Sequence, residues 1–504
     1  MTLNKNKTHK GLSHFSIVKI LKKFSPAEIR EFEKLLNSPF YNNHSTIVIL
    51  FEEIKKYYPE FSANNITKEY LFQIVNKGKK YDDKVFRKYL SRLNKLAEEY
   101  LNILQMRSDK YKRELNVLFQ LSKRDINDVY LRKVKEIKKS FAVDNKLDGD
   151  KFLLKHFFST IRYDHETTGD NIESKSEELV ESYNNLVNYF LFFSTSILNQ
   201  LDSNQYSFKS THSDNSLKIL LDSSKIEQYT EDVKKLRTPD NEDRVFFLEI
   251  VINDMKLNSS VTGLRAFKNL KQLVYRNSEK LSDQVLFYLL QRMNVFCIIE
   301  SAKGNLDMNR DIFENYKMIF DKNLFNLDRT SYLSLLDLRL ILSSSLKSNE
   351  FDWTEKFISE KLHLLKEELR VNVRHFSYAT LSFYKKNYTD ALSHISKIKS
   401  ESSPITKDIY VLKAKIFYEL GHYDSALSVA DSFRHYVLRS NIFSDFHKET
   451  ILNFLKYYKL IIRLTNKPDR AKIQSQLSDL QIIKNTKEQK WMVEKIEELL
   501  LKTD

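Results

Sequence analysis

The sequence predicts an all-α protein, from three observations: few turn residues, a 3.6-residue apolar periodicity in many segments, and a helix-pair repeat near the C-terminus. The chain has 504 residues but only seven Gly and six Pro, where average usage would give roughly 35 and 25. Strands joined by tight turns, and Pro-rich linkers, need more of these residues. We therefore expect an N-terminal helical module followed by an α-solenoid of helix pairs.

Residues 1–108 are expected to form the first of four domains, a basic helical module. Ser25 and Glu28, with a proline directly after the serine, form the pattern of a capping box and predict the start of a helix. Ser45 and Thr67 are the predicted caps of the next two helices. The N-terminus is charged and has no apolar segment of a signal peptide, so we expect no secretory leader.

The module ends with a long helix, expected from Asp82 or Asp83 to about Arg107. Its apolar residues step by 4, 3, 4, 3 and 4 positions, which is a heptad seam fit to pack along another helix. The residues of this seam are Phe86, Leu90, Leu93, Ala97, Tyr100 and Leu104. The order of these helices resembles the N-terminal region of uncharacterised bacterial proteins that have helical repeats in their C-terminal parts. This resemblance covers about a fifth of the chain and implies no known activity.

Residues 109–330 are expected to form a region of degenerate helix pairs. Apolar periodicity predicts helices at 128–141, 151–163, 174–201, 245–256 and 285–301. The polar segment 202–216 predicts a loop or a break in the stack. Residues 182–201 carry no charge, but they include four Asn and one Gln, which are costly in lipid. We therefore expect this segment to be a helix buried on most faces rather than a membrane span.

Residues 331–466 contain the clearest repeat. A small residue, an aromatic residue after a turn and a second small residue recur at an interval of 35 residues. The first set is Ala379, Tyr388 and Ala391, and the second is Ala414, Tyr423 and Ala426, with Gly421 in the turn. This pattern resembles the tetratricopeptide (TPR) repeat. The resemblance implies two packed helices per repeat, in which the first alanine lets the second helix approach and the second alanine lies where the helices cross.

Weaker copies of the repeat precede these two. Phe351 stands at the position of the turn aromatic, with Thr354 where alanine is expected, and a fainter copy lies at Gly304. Lys386 takes the place of the turn glycine and Lys413 that of a leucine. Because of these departures, the prediction is of TPR-like repeats rather than of a regular array.

Residues 467–504 are expected to form helices that cap the last repeat. One helix follows Pro468, and another is expected to start at Thr486, where Gln489 completes a capping box. The apolar residues of the last helix are Trp491, Ile496, Leu499 and Leu500.

Positive charge is concentrated in the first quarter of the chain. The whole sequence has 82 Lys and Arg against 67 Asp and Glu, a net charge of +15, and residues 1–125 hold 25 against 14, which is +11. Part of this charge follows one face of the long N-terminal helix, and we take these residues as a candidate polyanion-binding site: Lys84, Arg87, Lys88, Arg92 and Lys95. An AT-rich genome, which raises the lysine content everywhere, is an alternative source of the charge.

A short helix, a turn and a longer basic helix resemble a helix-turn-helix, whose second helix enters the DNA major groove. The basic face could neutralise several phosphates. Asp82 and Asp83, however, stand at the helix start that would approach the phosphates. We therefore prefer a solvated or protein-facing surface over a nucleic-acid interface.

Motifs that carry chemistry are missing from the sequence. The closest two glycines are 20 residues apart, which excludes a P-loop, a dinucleotide fingerprint and a nucleophile elbow. Cys297 lies in an apolar helical stretch and is expected to be a core side chain. His156 and His165 are expected to be partly exposed and separate. We predict no catalytic residue, no metal site, no cofactor and no small-molecule substrate.

The predicted function is that of a non-enzymatic scaffold or adaptor, which binds a peptide or a protein partner on a helical-repeat surface. The alternative is a nucleic-acid-binding regulator that uses the basic N-terminal module. A single cysteine and the absence of a leader predict a reducing, cytoplasmic location, with no membrane association.

Overall fold

The computed structural model describes residues 14–61, 66–165, 172–208, 216–223, 225–235, 241–302, 308–325, 332–399, 405–440, 443, 445–483 and 486–502. Over these ranges the protein is all-helical, and the β pairing there is limited to an isolated parallel bridge between Leu147 and Leu281. No helix in the described ranges has the length and hydrophobicity needed to cross a lipid bilayer. The predicted all-α class is therefore confirmed.

The chain divides into two compact units. Unit 1 consists of residues 1–145 and 150–190, and unit 2 of residues 146–149 and 191–504. The finer division into four domains, with boundaries after residues 108, 330 and 466, stays a prediction.

Unit 1 contains the predicted N-terminal helices and those that follow them. They are α1 (Ser16–Leu21), α2 (Pro26–Leu36), α3 (Ser45–Lys55), α4 (Lys68–Val75), α5 (Asp83–Ser108), α6 (Lys110–Ser122), α7 (Asn127–Val143), α8 (Gly149–Asp164) and the first part of α9 (Ile172–Phe208). The first five helices surround one core, in which Phe32, Phe51 and Phe86 are fully buried. A smaller core around Leu118 and Tyr130 joins α6, α7 and α8.

Two of the three predicted caps in unit 1 are confirmed. The Ser25 hydroxyl accepts the backbone N–H of Glu28 at 3.2 Å, and the Glu28 carboxylate accepts the backbone N–H of Ser25 at 2.6 Å. Thr67 caps α4 through its hydroxyl, which accepts the backbone N–H of Tyr70 at 3.1 Å. The prediction for Ser45 is wrong, because Ser45 is already the first helical residue and the preceding His44 makes no side-chain cap.

Unit 2 begins within α9 and continues through fifteen further helices of the described ranges. They are α10 (Ser216–Ser223), α11 (Ile226–Lys235), α12 (Asn241–Lys256), α13 (Gly263–Arg276), α14 (Asp283–Ala302), α15 (Asn309–Asp321), α16 (Leu335–Lys347), α17 (Phe351–Lys361), α18 (Glu367–Tyr384), α19 (Tyr388–Ser396), α20 (Thr406–Glu419), α21 (Tyr423–Arg439), α22 (Asp445–Asn466), α23 (Arg470–Ile482) and α24 (Gln489–Lys502). From α11 to α22 each helix packs on the next, and α18 also packs on α16 and α20. One continuous core runs from Phe246 to Leu499.

The three helix pairs α16–α17, α18–α19 and α20–α21 share one turn geometry. Asn349, Lys386 and Gly421 have positive φ angles of 59°, 61° and 72°, and each lies two residues before the aromatic residue that starts the second helix. The next backbone N–H returns to the carbonyl five residues earlier, as in a Schellman motif. These bonds are Glu350 to Ser345 at 2.9 Å, Asn387 to Ser382 at 2.8 Å and His422 to Phe417 at 2.9 Å.

The alanines and tyrosines of the predicted repeat either are buried or start the second helix of a pair. All four predicted alanines, at 379, 391, 414 and 426, are buried, while Tyr388 and Tyr423 are the first residues of α19 and α21. Thr354, in place of an alanine, is also buried, and its hydroxyl is within hydrogen-bond distance of the Ser345 hydroxyl at 2.8 Å. The fainter copy at Gly304 lies outside the described residues.

The long helix α9 differs from its prediction in two ways. Its backbone stays helical to Phe208, so the first half of the predicted loop 202–216 is helix, while residues 209–215 lie outside the described ranges. It is also not buried on most faces. Large apolar side chains are exposed (Tyr183, Leu186, Phe190, Ile197 and Leu201), while small or polar ones are buried (Ser182, Asn185, Asn188, Ser194, Thr195 and Asn199). Ser182 finds a partner inside, His156 at 2.8 Å, whereas the buried amide oxygen of Asn188 has no hydrogen-bond partner among the described residues.

The predicted capping box of the last helix is wrong. Helix α24 starts at Gln489, three residues beyond Thr486. The Thr486 hydroxyl is buried and has no hydrogen-bond partner among the described residues, and the Gln489 amide donates to the carbonyl of Ile483 at 3.0 Å. Gln489 therefore bridges back to the end of α23 instead of capping its own helix.

Candidate functional site

Five basic residues are predicted on one face of α5, and we call them the basic stripe: Lys84, Arg87, Lys88, Arg92 and Lys95. All five are exposed, as their helical spacing predicts. Arg87 forms an ion pair with Asp83 at 2.7 Å, and within the described ranges the other four basic residues have no ion pair: Lys84, Lys88, Arg92 and Lys95. The Asp82 carboxylate accepts the first backbone N–H groups of the helix at 2.8 and 3.1 Å. Because these donors are occupied by a carboxylate, the start of α5 is a poor phosphate site.

A second basic helix, α13, was missed by the sequence reasoning. It carries four basic residues and no acidic residue over Gly263–Arg276: Arg265, Lys268, Lys271 and Arg276. Its apolar residues keep a helical period, and Ala266, Phe267, Leu270 and Val274 are buried in the core of unit 2. The opposite face therefore points to solvent. The signal in the sequence was an amphipathic segment with basic residues and no acid.

A polar cleft of about 820 Å³ lies between α11, α12 and α13. Four exposed residues of α13 line it, spaced 4, 3 and 4 positions apart; we call them the α13 surface: Arg265, Asn269, Gln272 and Arg276. Two amides and two guanidinium groups thus follow one face of the helix over about three turns.

The wall opposite α13 is already charge-paired. Lys234 lies 3.0 Å from Glu231 and 3.1 Å from Glu249, and Lys256 lies 2.9 Å from Glu227. Hydrogen bonds that Lys234 donates to the two glutamates hold the pKa of Lys234 above its ordinary value, with burial acting against them. Lys234 therefore stays charged, and the carboxylate partners of both lysines are engaged.

On the α13 side the guanidinium groups keep their charge free for a ligand. Arg265 has no ion pair with a described residue, and Arg276 meets the amide oxygen of Gln272 at 2.7 Å once that amide is oriented towards it. An amide partner does not neutralise a guanidinium. Arginine takes a carboxylate through two parallel hydrogen bonds, and Asn and Gln amides can donate to and accept from a peptide backbone.

A second cleft of about 610 Å³ flanks the other side of α13 and is more apolar. Phe267, Tyr275 and Met308 contribute to its lining. Lys271 is engaged there by Asp311 at 2.5 Å and Glu314 at 2.8 Å. Helix α13 is thus a basic ridge between two clefts of unit 2.

The residues with intrinsic reactivity are held in structural roles. Cys297 is fully buried, and burial raises the pKa of its thiol. His165 is buried rather than partly exposed, with Nδ1 2.9 Å from the Ser122 hydroxyl and its ring stacked on Tyr130; the prediction for this residue is wrong. No group of three or more His, Cys, Asp or Glu in the described part of the chain is arranged to hold a metal ion.

Comparisons with protein-family models, with curated proteins and with solved structures find no match to this chain. The resemblance to TPR repeats therefore stays a prediction, and it depends on the repeat residues alone. What the chain binds has to be inferred from its own side chains.

Proposed function

We propose that the chain is a non-enzymatic scaffold that binds an acidic, extended peptide segment of a partner protein along the α13 surface. The observation that carries this proposal is the cleft-lining row of Arg265, Asn269, Gln272 and Arg276, with two cations that no described carboxylate neutralises. The opposite wall, whose charges are already paired, closes the cleft without competing for those cations.

Each group of the row has a role in this proposal. The two arginines take carboxylates, and hydrogen bonds to charged groups contribute about 1.5–3 kcal/mol each. The amides of Asn269 and Gln272 lie between the arginines in the row and take backbone N–H and C=O groups of the peptide. Because the row is exposed, binding should weaken as salt screens the charges.

The scaffold itself we propose to be an α-solenoid of helix pairs, TPR-like over α16 to α21, acting in the cytoplasm. Support comes from the packing of each helix on the next and from the shared turn at Asn349, Lys386 and Gly421. Stacked helix pairs give extended surfaces of the kind that bind peptides.

The test is selection of a peptide-display library on the full-length chain. We expect the selected peptides to be rich in Asp and Glu. The double substitution Arg265→Glu and Arg276→Glu should then weaken binding of a selected peptide about 100-fold, from two lost charge-assisted bonds of about 1.4 kcal/mol or more each.

The matched control is Arg434→Glu with Arg439→Glu, which makes the same charge change at two exposed arginines of α21. It should leave the affinity within about twofold, since it alters only long-range, screened interactions. Selected peptides without acidic residues, or equal losses in both double variants, would contradict the proposal.

A second candidate function, nucleic-acid binding by the basic stripe of α5, is favoured by one observation. Lys84, Lys88, Arg92 and Lys95 are exposed and have no ion pair with a described residue. If this function holds, the full-length chain binds duplex DNA with an affinity that falls steeply as salt rises. Lys88→Glu with Arg92→Glu should abolish that binding, while the α21 control retains it. Absence of binding even at low salt rejects this candidate.

A further inference from the structure

The last helix, α24, follows the repeat helices in the chain and folds back to contact one of them, α20. It packs on α22 and α23, and its Trp491 ring lies against the rings of Tyr458 on α22 and Tyr418 on α20, with centroid distances of 6.2 and 5.3 Å. Contact with α20 as well as α22 means that α24 packs across two helices that are not consecutive in the chain.

Three ion pairs join α20 to residues 486–502, which we call the tail. Glu488 lies 2.8 Å from Lys415, Lys487 lies 3.2 Å from Asp408, and Lys495 lies 3.1 Å from Glu419. In each pair the first residue belongs to the tail and the second to α20. The indole N–H of Trp491 also donates to Glu419, at 2.9 Å.

Lys415 is a buried cation that forms an ion pair with a carboxylate of the tail. Its side chain is 8% exposed, and its ammonium group lies 4.8 Å from the ring centre of Phe383 and 5.5 Å from that of Trp491. Among the described carboxylates, that of Glu488 is the one within ion-pair distance. A buried cation without a counter-charge is strongly destabilising, so the site calls for an acidic group at this point.

The same position favours the charged form of Glu488. Burial alone would raise its pKa, but the charges of Lys415 and Lys487, with the hydrogen bond from Lys415, outweigh burial and lower the pKa to about 2. This carboxylate, which is about 30% exposed, is therefore ionised at any physiological pH.

The tail residues that make these contacts lie in the first two turns of α24 and directly before it. Trp491 and Lys495 stand at positions i and i+4 on one side of the helix, and Glu488 is the residue directly before the helix, with a φ of 58°. A helix that docks in a groove is read through anchors at intervals of three or four residues. Their receptor, which we call the tail-binding surface, consists of Asp408, Lys415, Tyr418, Glu419 and Tyr458.

We infer that the tail-binding surface is a helix-recognition site, which α24 fills in cis. Its partner would be an amphipathic helix of another protein with a tryptophan and a lysine four positions apart and an acidic residue directly before the helix, which displaces α24. The inference shares with the proposed function only the premise that the chain binds partners, because its surface is separate from α13. A tethered tail competes at an effective concentration of about millimolar, so the surface is closed until such a helix arrives.

The test uses the full-length chain and, as probe, a fluorescent synthetic peptide of residues 486–502. The substitution Lys495→Glu places like charges opposite Glu419 and should release α24 while leaving the tail-binding surface intact. We expect this variant to bind the wild-type peptide about 100-fold more tightly than the wild-type chain does. Adding Lys415→Glu should remove the binding. Lys502→Glu, the same charge change at an exposed end of α24, is the control and should behave as wild type.

Hydrogen exchange of the wild-type chain gives a second measurement that needs no variant. The amides of α24 should exchange at least 10-fold faster than those of α20 and α22, because displacement requires α24 to open as a unit. Equal protection of the three helices, peptide binding that is equally weak in all variants, or dimers formed by exchange of tails would each overturn the inference. Acidic-peptide binding at α13, measured on the same variants, would show separately whether the proposed function holds.

Discussion

Asp254 is a buried carboxylate of α12 that is held by donors from two other helices. Arg292 Nε lies 3.0 Å from it, the Tyr288 hydroxyl 2.9 Å and the Asn199 amide 3.0 Å. Burial raises the pKa of Asp254, and the positive charge of Arg292 opposes that effect. The hydrogen-bonded Asp254 carboxylate therefore links α9, α12 and α14 of unit 2 at one point.

Replacing Arg292 by Met should therefore lower the free energy of unfolding by about 3–5 kcal/mol, because it leaves Asp254 buried without its counter-charge. Urea denaturation followed by circular dichroism measures this loss. Arg265→Met, at an exposed position of α13, is the matched control and should change stability by less than about 0.5 kcal/mol. Similar losses in both variants would mean that the Asp254 cluster does not hold unit 2 together.

His375 and His394 form a second polar contact, between α18 and α19, with their Nδ1 atoms 3.4 Å apart. The pKa of each is lowered, first by burial and then by the nearby charge of Lys397; Arg374 adds to the effect on His375, and Asp390 opposes it on His394. A lowered folded-state pKa means that the unfolded chain binds more protons. The stabilising effect is therefore complete above the ordinary histidine pKa of about 6.5 and is lost as the pH falls below it.

We expect the melting temperature to fall between pH 7.5 and pH 5.5, and His375→Gln with His394→Gln to reduce that fall. Calorimetry at the two pH values measures both. His435→Gln, at an exposed position of α21, controls for the removal of a histidine as such. If the double variant keeps the full pH dependence of the wild type, the histidine contact is not its source.

At the scale of elements, the shared turn of the three helix pairs explains why the repeat tolerates Lys386 in place of glycine. The position requires a positive φ, and Lys386 adopts one of 61°, against 72° for Gly421. A non-glycine residue is strained in this conformation by about 1–2 kcal/mol. A Cβ added at Gly421 would meet nothing within 4 Å, so the backbone angle is the constraint there.

Gly421→Ala should accordingly destabilise the protein by about 1 kcal/mol. Lys386→Gly should stabilise it by up to about 1 kcal/mol, since relief of strain exceeds the entropy that glycine adds to the unfolded chain. Midpoints of urea denaturation report both changes. Lys386→Ala keeps the strain and separates it from the loss of the lysine side chain, so a gain with alanine equal to that with glycine would contradict the explanation.

The elements that the sequence predicted well are those whose local signals agree with their packing. The heptad seam of α5 is one, with Phe86, Leu93 and Tyr100 buried, and the capping box at Ser25 is another. Helix α9 reverses the usual pattern, and two of its buried polar residues have partners far away in sequence: Ser182 with His156, 26 positions away, and Asn199 with Asp254, 55 positions away. Hydropathy alone cannot show such partners, so burial of its apolar side was predicted wrongly.

The candidate sites also differ in how far the sequence predicts them. The exposure of the α5 stripe followed from helical spacing. The α13 surface became visible only when the structure placed α11 and α12 beside it to form a cleft. The pairing of Lys415 with Glu488 joins residues 73 positions apart, and periodicity carries no information over such a distance.

For the whole molecule, the described chain is a set of helices with two separate candidate surfaces in unit 2, one open and one filled by the chain itself. The α13 surface presents two arginines in a cleft that no described carboxylate pairs with, and the tail-binding surface is covered by α24. A scaffold with these two surfaces would bind an acidic segment at the α13 surface and a partner helix at the tail-binding surface.

Hydrogen exchange of the full-length chain can show whether the α13 surface binds an acidic peptide. With a selected acidic peptide at saturation, we expect slower exchange in α12 and α13, and no change in α5. The Arg265→Glu, Arg276→Glu variant should show no slowing at the same peptide concentration. Slowing in α5, or none in α12 and α13 of the wild-type chain, would contradict binding at this surface.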